Sequence, residues 1–558
     1  RPEELKEKLD ELDEILDKGY YAAGFMSYEA GYAFEEALKD KNRYAFPLLW
    51  FGVYKRPLIY EGRLAGGVEG NTSINDIKPN ISKKEYIANI KRIKKHIVRG
   101  ESYEVNFCFK QKFSFRGSAY KFYLQLREKQ TVAYSAFIKF GDYFIVSFSP
   151  ELFFRKTKSS IETRPMKGTL KRGKTLDEDV EQEKFLGRSD KDRSENLMIV
   201  DLLRNDLGRI SKAGSVKAKE LFKVEKYETL FQMISVIRGS LNKDISLYQI
   251  FKNIFPCGSV TGAPKIKTMR IIRELEKEPR LVYTGSIGYL APKKEKSTFN
   301  VAIRTVVIDK KKNKGEMGIG SGIVYESDAS SEYDECLLKS SFLTSNNSNF
   351  QLIETILVKS DRRCFLLKLH FERLKKSSKY FNFCYNEKAI REKLKARLEA
   401  LDKRKSYKLR LLLSRDGTVK ITCSVISAGE DTMPRRVKVS GRKTSSSNVL
   451  LRHKVSDREL YDKEHKKYKK LGFYGVIFTN ERDEITEGTV SNVIIKKGEF
   501  YYTPALSCGL LNGVYRQYLI NKRNFPLKEK TLFRKDILTA DTVYLCNSVR
   551  GLEEVKVI

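Results

Sequence analysis

The sequence predicts an α+β protein of two domains, and three observations carry that expectation. Its 558 residues exceed what one hydrophobic core holds. Short apolar runs separated by turn residues alternate with stretches whose apolar residues recur at helical spacing. The composition turns polar and almost uncharged over 341–349, and a new periodic pattern starts at Phe350. The expected division is a first domain over 1–345, a linker over 346–349 and a second domain over 350–558.

Residues 1–19 read as an amphipathic helix rather than a secretory signal, because Leu5, Leu9, Leu12 and Leu16 fall at helical spacing with charges between them. Residues 101–160 read as short strands and turns, with Gly141-Asp142 marking a hairpin inside Phe137–Val146. A helix follows over 194–207, where Met198, Ile199 and Leu202 continue the face begun near Glu195. Strands return at 283–290 and 299–308, and Glu332 and Glu335 share one face of a later helix.

A 41% hydrophobic fraction with 32 Phe and 30 Tyr supplies ample core and excludes disorder for most of the chain. No apolar run approaches the roughly 20 residues that span a bilayer, so a soluble protein without membrane partners is expected. The eight cysteines (108, 257, 336, 364, 384, 423, 508 and 546) form no Cys-x-x-Cys pair. That argues against a zinc site or disulfide framework and for a reducing cytoplasm. Cys257 reads as a small packing residue. The net charge of +36 invites a nucleic-acid reading, the alternative from a different functional class. Yet the lysines are spread along the whole length, as in Lys310–Lys314, with no RNA-binding aromatic signature, zinc finger or recognition helix. Solvated faces are the better account, and no nucleic-acid partner is expected.

Lys167 stands in Pro165-Met166-Lys167-Gly168-Thr169, between a proline turn and a glycine, where an amine is free to act as a nucleophile. Glu151 lies 16 residues upstream, Glu195 lies 28 downstream, and Glu332 and Glu335 follow later. An amine, a candidate acid and a candidate metal pair describe chemistry on an anion.

Lys167, Glu195, Glu332 and Glu335 belong to ordered blocks: Gly100–Asn106, Pro165–Thr169, Arg193–Asn196, Gly258–Lys265, Tyr283–Tyr289, Ile303–Thr305, Gly320–Val324 and Glu332–Glu335. With them, residues 20–345 resemble the chorismate-utilising enzymes, specifically the synthase subunit of aminodeoxychorismate synthase. The resemblance implies two packed antiparallel sheets with helices outside, an α/β sandwich. It also implies that Lys167 adds to C2 of chorismate as the C4 hydroxyl leaves, that Glu151 is the acid for that departure, and that ammonia then enters at C4. Anthranilate synthases have a small residue in place of this lysine and aminate C2. Glu195 and Glu335 would hold Mg²⁺ with support from Glu332, two carboxylates being typical of that ion. Arg304, Thr261, Tyr289, Lys339 and the amides of Gly320 and Gly322 would surround the substrate. Many relatives carry a histidine near Gln232, which this chain lacks.

Leu369–Leu374, Arg452–Arg458, Ile485–Asn492, Gly509–Arg516 and Asn547–Gly551 likewise make residues 350–558 resemble the fold-type IV pyridoxal-phosphate enzymes, which include branched-chain and D-amino-acid aminotransferases and aminodeoxychorismate lyase. The resemblance implies that Lys454 carries pyridoxal 5'-phosphate. Glu487, 33 residues on, would keep the pyridine nitrogen protonated. Arg373, Ser548 and the amides of Gly513, Val514 and Thr489 would bind its phosphate. The strand and glycine turn that relatives have before Phe350 look shortened. Since the first domain would make what a lyase consumes, the expected activity runs from chorismate and ammonia to 4-aminobenzoate and pyruvate, in folate biosynthesis. An unrelated aminotransferase fused to the synthase is the alternative. No Gly-x-Cys-x-Gly elbow of a glutaminase is visible, so ammonia is expected from a separate glutamine amidotransferase subunit or from solution. The oligomeric state is open, a dimer through the second domain being one option.

Overall fold

The computed structural model describes residues 2–39, 44–60, 72–129, 132–227, 230–292, 295–343, 350–426 and 435–558. The expected linker at 346–349 lies outside the described residues. The chain divides into two compact units: Arg1–Lys171 with Gln182–Asn347, and Arg172–Glu181 with Ser348–Ile558. The ten residues Arg172–Glu181 thus depart from a division at one linker. They belong to the second unit because Tyr380 donates its hydroxyl to the Gly173 carbonyl at 2.6 Å and Arg172 donates to the Tyr380 carbonyl at 2.8 Å.

The first unit is built on two antiparallel sheets. One has nine strands, with Leu230–Ser240, Ser160–Arg164, Leu152–Lys156, Ser297–Val301, Ser286–Leu290 and Tyr21–Met26 in its middle; the other has seven, centred on Glu104–Arg116 and Lys314–Ile323. Phe25 and Ile287 from the first sheet meet Ile145 and Val307 from the second in one buried cluster, which closes the sandwich. Helices cover the outer faces. Leu5, Leu9, Leu12 and Leu16 of the Leu5–Asp17 helix are all buried against the nine-stranded sheet together with Ile199, Leu203 and Leu207 of Asp190–Gly208. Lys83–Val98, Lys265–Leu275 and Ala329–Ser340 pack on the seven-stranded sheet through Ile90, Ile272 and Tyr333.

The expected hairpin is present: Tyr134–Phe140 and Tyr143–Ser149 pair across Gly141-Asp142, with Gly141 at φ +50°. Two expectations need correction. Residues 101–160 are not strands alone, since Ala119–Lys129 is a helix that buries Phe122, Tyr123 and Leu126. The run 299–308 is not one strand either. Ser297–Val301 and Thr305–Asp309 belong to different sheets, and the chain passes between them at Arg304, whose φ is +50°. The strand expected at 283–290 is confined to Ser286–Leu290.

The second unit has a three-stranded antiparallel sheet, Leu352–Val358, Tyr407–Leu413 and Val419–Val425, with the helices Leu367–Phe381 and Glu387–Glu399 on one face. Its other sheet has eight strands in mixed orientation, from Ile485–Gly488 to Leu527–Lys530. The Leu352–Val358 strand carries Glu354.

Candidate active sites

In the first unit Lys167 is the second residue of the Met166–Lys171 strand, at a register irregularity against Leu230–Ser240. Gly168 beside it has φ +87°, a conformation that favours glycine, and a Cβ there would meet Asp192 at 3.0 Å. A bulge of this kind re-aims a side chain, and Lys167 is turned onto the Glu104 carboxylate. Glu104 opens the long strand Glu104–Arg116, is 2% exposed, and its second oxygen has no hydrogen-bond partner among the described residues. Burial works against the Lys167 charge, but Glu104, then Glu195 and Glu151, outweigh it and hold the amine above its ordinary pKa.

Glu151 lies between the strands Tyr143–Ser149 and Leu152–Lys156 and is 3% exposed. Its Oε1 accepts a hydrogen bond from Ser259 at 2.6 Å. Burial pushes its carboxyl up to about 7, against the Ser259 bond and the Lys167 charge. Glu195, on the Asp190–Gly208 helix, is also pushed up by burial, with Lys167 opposing. Asn196, the next residue, donates to the Lys167 carbonyl at 3.4 Å and accepts from Ser235 at 2.5 Å, which fixes the helix against the bulge.

Gly322 closes the cluster. A Cβ on it would stand 2.0 Å from Glu104 Oε1 and 2.7 Å from Lys167 Nζ. Its amide and that of Gly320 are turned outward. Opposed residues of an antiparallel ladder share one hydrogen-bonding state. Asn106 and Cys108, opposite Gly322 and Gly320, send their N–H groups away, to the Thr261 carbonyl and Glu276 Oε1, both at 2.8 Å. The neighbouring strand ends its register at Val306 opposite Met317, so neither glycine amide has a ladder partner on that side among the described residues. Two N–H donors beside a buried amine suit an anion.

The other expected residues divide. Lys339 donates to the Gly320 carbonyl at 3.1 Å and pairs with Glu335 at 2.8 Å on the Ala329–Ser340 helix. Glu332 accepts from Ser327 at 2.9 Å. Among the described residues no three Asp, Glu, His or Cys side chains converge as a metal site complete in itself. Burial lowers the Arg304 guanidinium, opposed by Tyr227. The Thr261 hydroxyl is fully buried and donates to the carbonyls of Cys257 and Gly258 at 3.0 and 3.2 Å, so it holds the Gly258–Lys265 loop. Tyr289 is 46% exposed on Ser286–Leu290. Gln232 accepts from Thr169 at 3.1 Å, on the strand next to Lys167. Cys257 is buried, its thiol pushed up to about 12 by burial, and serves packing.

In the second unit a cavity of about 850 Å³ gathers all seven expected cofactor residues: Lys454, Glu487, Arg373, Thr489, Gly513, Val514 and Ser548. The Lys454 carbonyl accepts from the Ile353 amide at 2.8 Å, which anchors this segment to the three-stranded sheet. Burial lowers its amine to about 7, with Arg373 and Arg458 adding like-charge repulsion. Glu487 is pushed up to about 7 by burial. It accepts from Tyr461 at 3.0 Å and from the Leu511 amide at 3.2 Å. Arg373 is held by Glu354 through Nε at 2.9 Å and Nη2 at 2.5 Å, and His370 meets the same carboxylate at 2.6 Å. Despite burial, Arg373 and His370 keep the Glu354 carboxyl down at about 2.

One assignment needs correction. The Thr489 amide is not a free donor, because it bonds the Val476 carbonyl at 3.1 Å; only its side chain remains for the cavity. The Ser548 hydroxyl donates to the Thr355 carbonyl at 3.1 Å. Gly513 has no room for a side chain, since a Cβ would lie 2.0 Å from Asn492 Oδ1.

The sequence reading missed Glu104, Ser259, Glu354, Tyr461 and Arg458. Glu104 left a signal, an acidic residue opening the apolar run Val105–Phe109. Ser259 and Arg458 left one as well, since they lie inside the matching blocks Gly258–Lys265 and Arg452–Arg458. Glu354 and Tyr461 left none, because their roles depend on partners 19 and 26 residues away.

Comparison with known proteins gives a match to the family described as chorismate binding enzyme over residues 2–345, and to amino-transferase class IV over 351–558. A probable aminodeoxychorismate synthase, chloroplastic, of Oryza sativa subsp. japonica is 40% identical over 316 residues, covering 52% of this chain and 34% of the rice protein. Aminodeoxychorismate synthase component 1 of Escherichia coli (strain K12) is 38% identical over 269 residues, 48% of this chain and 58% of that protein. This chain therefore spans a third to somewhat over half the length of these relatives. Among solved structures, anthranilate synthase component I from Streptococcus pneumoniae TIGR4 superposes with a TM-score of 0.54 at 28% identity, over 60% of this chain and 85% of that one.

Proposed function

The chain belongs to the chorismate binding enzyme family, and from that premise we propose that it makes 4-aminobenzoate in two steps of folate biosynthesis. The first unit would aminate chorismate at C4, with loss of water, to 4-amino-4-deoxychorismate; the second would eliminate pyruvate from that product. The observation that carries the reading is Lys167, a buried amine seated among Glu104, Glu151 and Glu195 where a small residue would direct amination to C2.

In the first site Glu151, with its carboxyl near 7, holds the proton that the departing C4 hydroxyl needs. Lys167 must lose a proton before it can add to C2, and Glu104 is bonded to it with a second oxygen still unpartnered. Addition at C2 expels the hydroxyl as water, and ammonia entering at C4 then displaces the lysine. The amides of Gly320 and Gly322 hold a carboxylate beside the amine. Mg²⁺ fits the hard oxygen donors of Glu195 and Glu335 together with substrate oxygens and water, Glu332 lending support, and it would offset carboxylate charge there.

The second cavity fits pyridoxal 5'-phosphate. It presents a half-neutral amine at neutral pH, a buried carboxyl on the same wall, and an excess of cations for a phosphate. When bound, the cofactor supplies an electron sink. Lys454 would carry it and move the C4 proton of the substrate; Glu487, oriented by Tyr461 and the Leu511 amide, would face its ring nitrogen. Arg373, fixed by Glu354, would hold the phosphate with Ser548, Gly513 and Val514. The ammonia source is a separate glutamine amidotransferase, a reading supported by relatives named component 1. Among the described residues no helix is long and apolar enough to cross a membrane.

Incubating the protein with chorismate, ammonium, Mg²⁺ and pyridoxal phosphate, without any keto acid, tests both steps at once. Equal amounts of 4-aminobenzoate and pyruvate are expected. Accumulation of aminodeoxychorismate alone would replace the lyase with an aminotransferase, and no consumption of chorismate would refute the first step.

A further inference from the structure

The wall of the second cavity carries far more positive charge than the cofactor accounts for. Nine cationic side chains and only two carboxylates line it. Arg373 is committed to Glu354, and Arg435 to Glu553. Arg458 donates to the Thr489 carbonyl and lies over the Tyr461 ring. Arg436 lies over the Phe473 ring and Arg550 bonds the Tyr474 hydroxyl. Among the described lining residues Lys408 and Arg410 are the cations that stand together on the three-stranded sheet, and no carboxylate pairs with either.

Their position follows from the strand pattern. Tyr407–Leu413 alternates buried Tyr407, Leu409, Leu411 and Leu413 with exposed Lys408 and Arg410, so the apolar set packs on the helices and the two cations stand on the opposite face. Arg410 is in register with Thr355 on one neighbouring strand and Thr422 on the other, and Lys408 with Ser424. Thr355, Thr422 and Ser424 line the same cavity. The Thr355 carbonyl also takes the hydroxyl of Ser548, so this row of cations and hydroxyls begins one strand away from a residue assigned to the phosphate.

We propose that Arg410 and Lys408, with the hydroxyls beside them, form an anion subsite that selects dicarboxylate substrates in the second cavity. The inference rests on the proposed lyase reading for its natural ligand, a ring compound with two carboxylates. One carboxylate alone would leave a cation of this row unpaired, whereas a dianion engages both through charge-assisted bonds. Apolar amino acids, the substrates of a branched-chain aminotransferase, have nothing to offer this face. The subsite acts on binding and leaves the chemistry to Lys454.

The test uses the full chain loaded with pyridoxal phosphate and two inert probes, isophthalate and benzoate, titrated against the cofactor absorbance. The wild type should bind isophthalate more tightly, by roughly tenfold or more for a charge-assisted contact. Arg410→Gln with Lys408→Gln should abolish the preference without changing the unliganded spectrum, and Arg410→Lys should retain part of it. With aminodeoxychorismate as substrate, the double variant should raise KM by a similar factor at nearly constant kcat. Equal affinity for the two probes in the wild type, or an unchanged preference in the double variant, overturns the subsite. If the wild type makes no 4-aminobenzoate yet shows the charge-dependent preference, the lyase reading fails and the subsite stands.

Discussion

Glu151 and Lys167 feel each other's charge in one site, and the shift of each leaves a measurable trace. Burial raises the Glu151 carboxyl from its ordinary value to about 7, so the acid is loaded below that pH and spent above it. The synthase rate should therefore fall as pH rises through about 7. Glu151→Gln should cut it by about 10²- to 10⁴-fold, the usual share of a general acid. Linkage has a definite sign: a carboxyl raised on folding stabilises fully below its unfolded pKa and loses that contribution as pH rises through its folded one. Thermal stability should decline between about pH 4.5 and 7, and Glu151→Gln should flatten part of the decline. Glu29, raised to about 7 by burial in the same unit, supplies another part. Lys167→Ala should leave a folded protein that forms no aminodeoxychorismate; retention of C4 amination would remove this lysine from the mechanism. Lys167 was legible in the sequence because it sits in a short ordered block, and Glu151 through its spacing from that block. The role of Glu104 was not, although it lies in the Gly100–Asn106 block, since no local pattern shows which carboxylate meets a lysine 63 residues away.

Secondary-structure elements explain why some of the fold could be read and some could not. The four leucines of Leu5–Asp17 and the Gly141-Asp142 hairpin are local signals, and both appear where expected. Ala119–Lys129 was hidden because its Phe and Tyr residues favour strands as much as helices, and packing decided the outcome. The break at Arg304 was hidden for another reason: the strands on either side are equally apolar, and only their membership of separate sheets parts them. The pairing of Glu104–Arg116 with Lys314–Ile323 brings Gly322 against the Lys167–Glu104 pair. Gly322→Ala should therefore displace the amine while the ladder survives. A loss of roughly 10²-fold in amination is expected, the cost of misplacement by about an ångström. Unchanged kinetics with a native circular dichroism spectrum would show that this close approach is dispensable.

At the scale of the whole molecule, one polar stretch was the sequence signal for a division of the chain. The assignment of Arg172–Glu181 was not legible, because a ten-residue excursion leaves no compositional mark. Since the two proposed sites share no residue, Lys454→Ala should abolish 4-aminobenzoate formation while chorismate is still consumed, and aminodeoxychorismate should accumulate. A folded Lys454→Ala protein that no longer consumes chorismate would contradict that independence. The opposite protonation of the two lysines has a chemical consequence of its own. Cyanate reacts with neutral amines, and at pH 7 only an amine lowered to about 7 offers a large neutral fraction, whereas one held above its ordinary value offers almost none. Brief carbamylation of the cofactor-free protein should therefore mark Lys454 and spare Lys167, giving a covalent means of silencing one activity of the chain without touching its sequence.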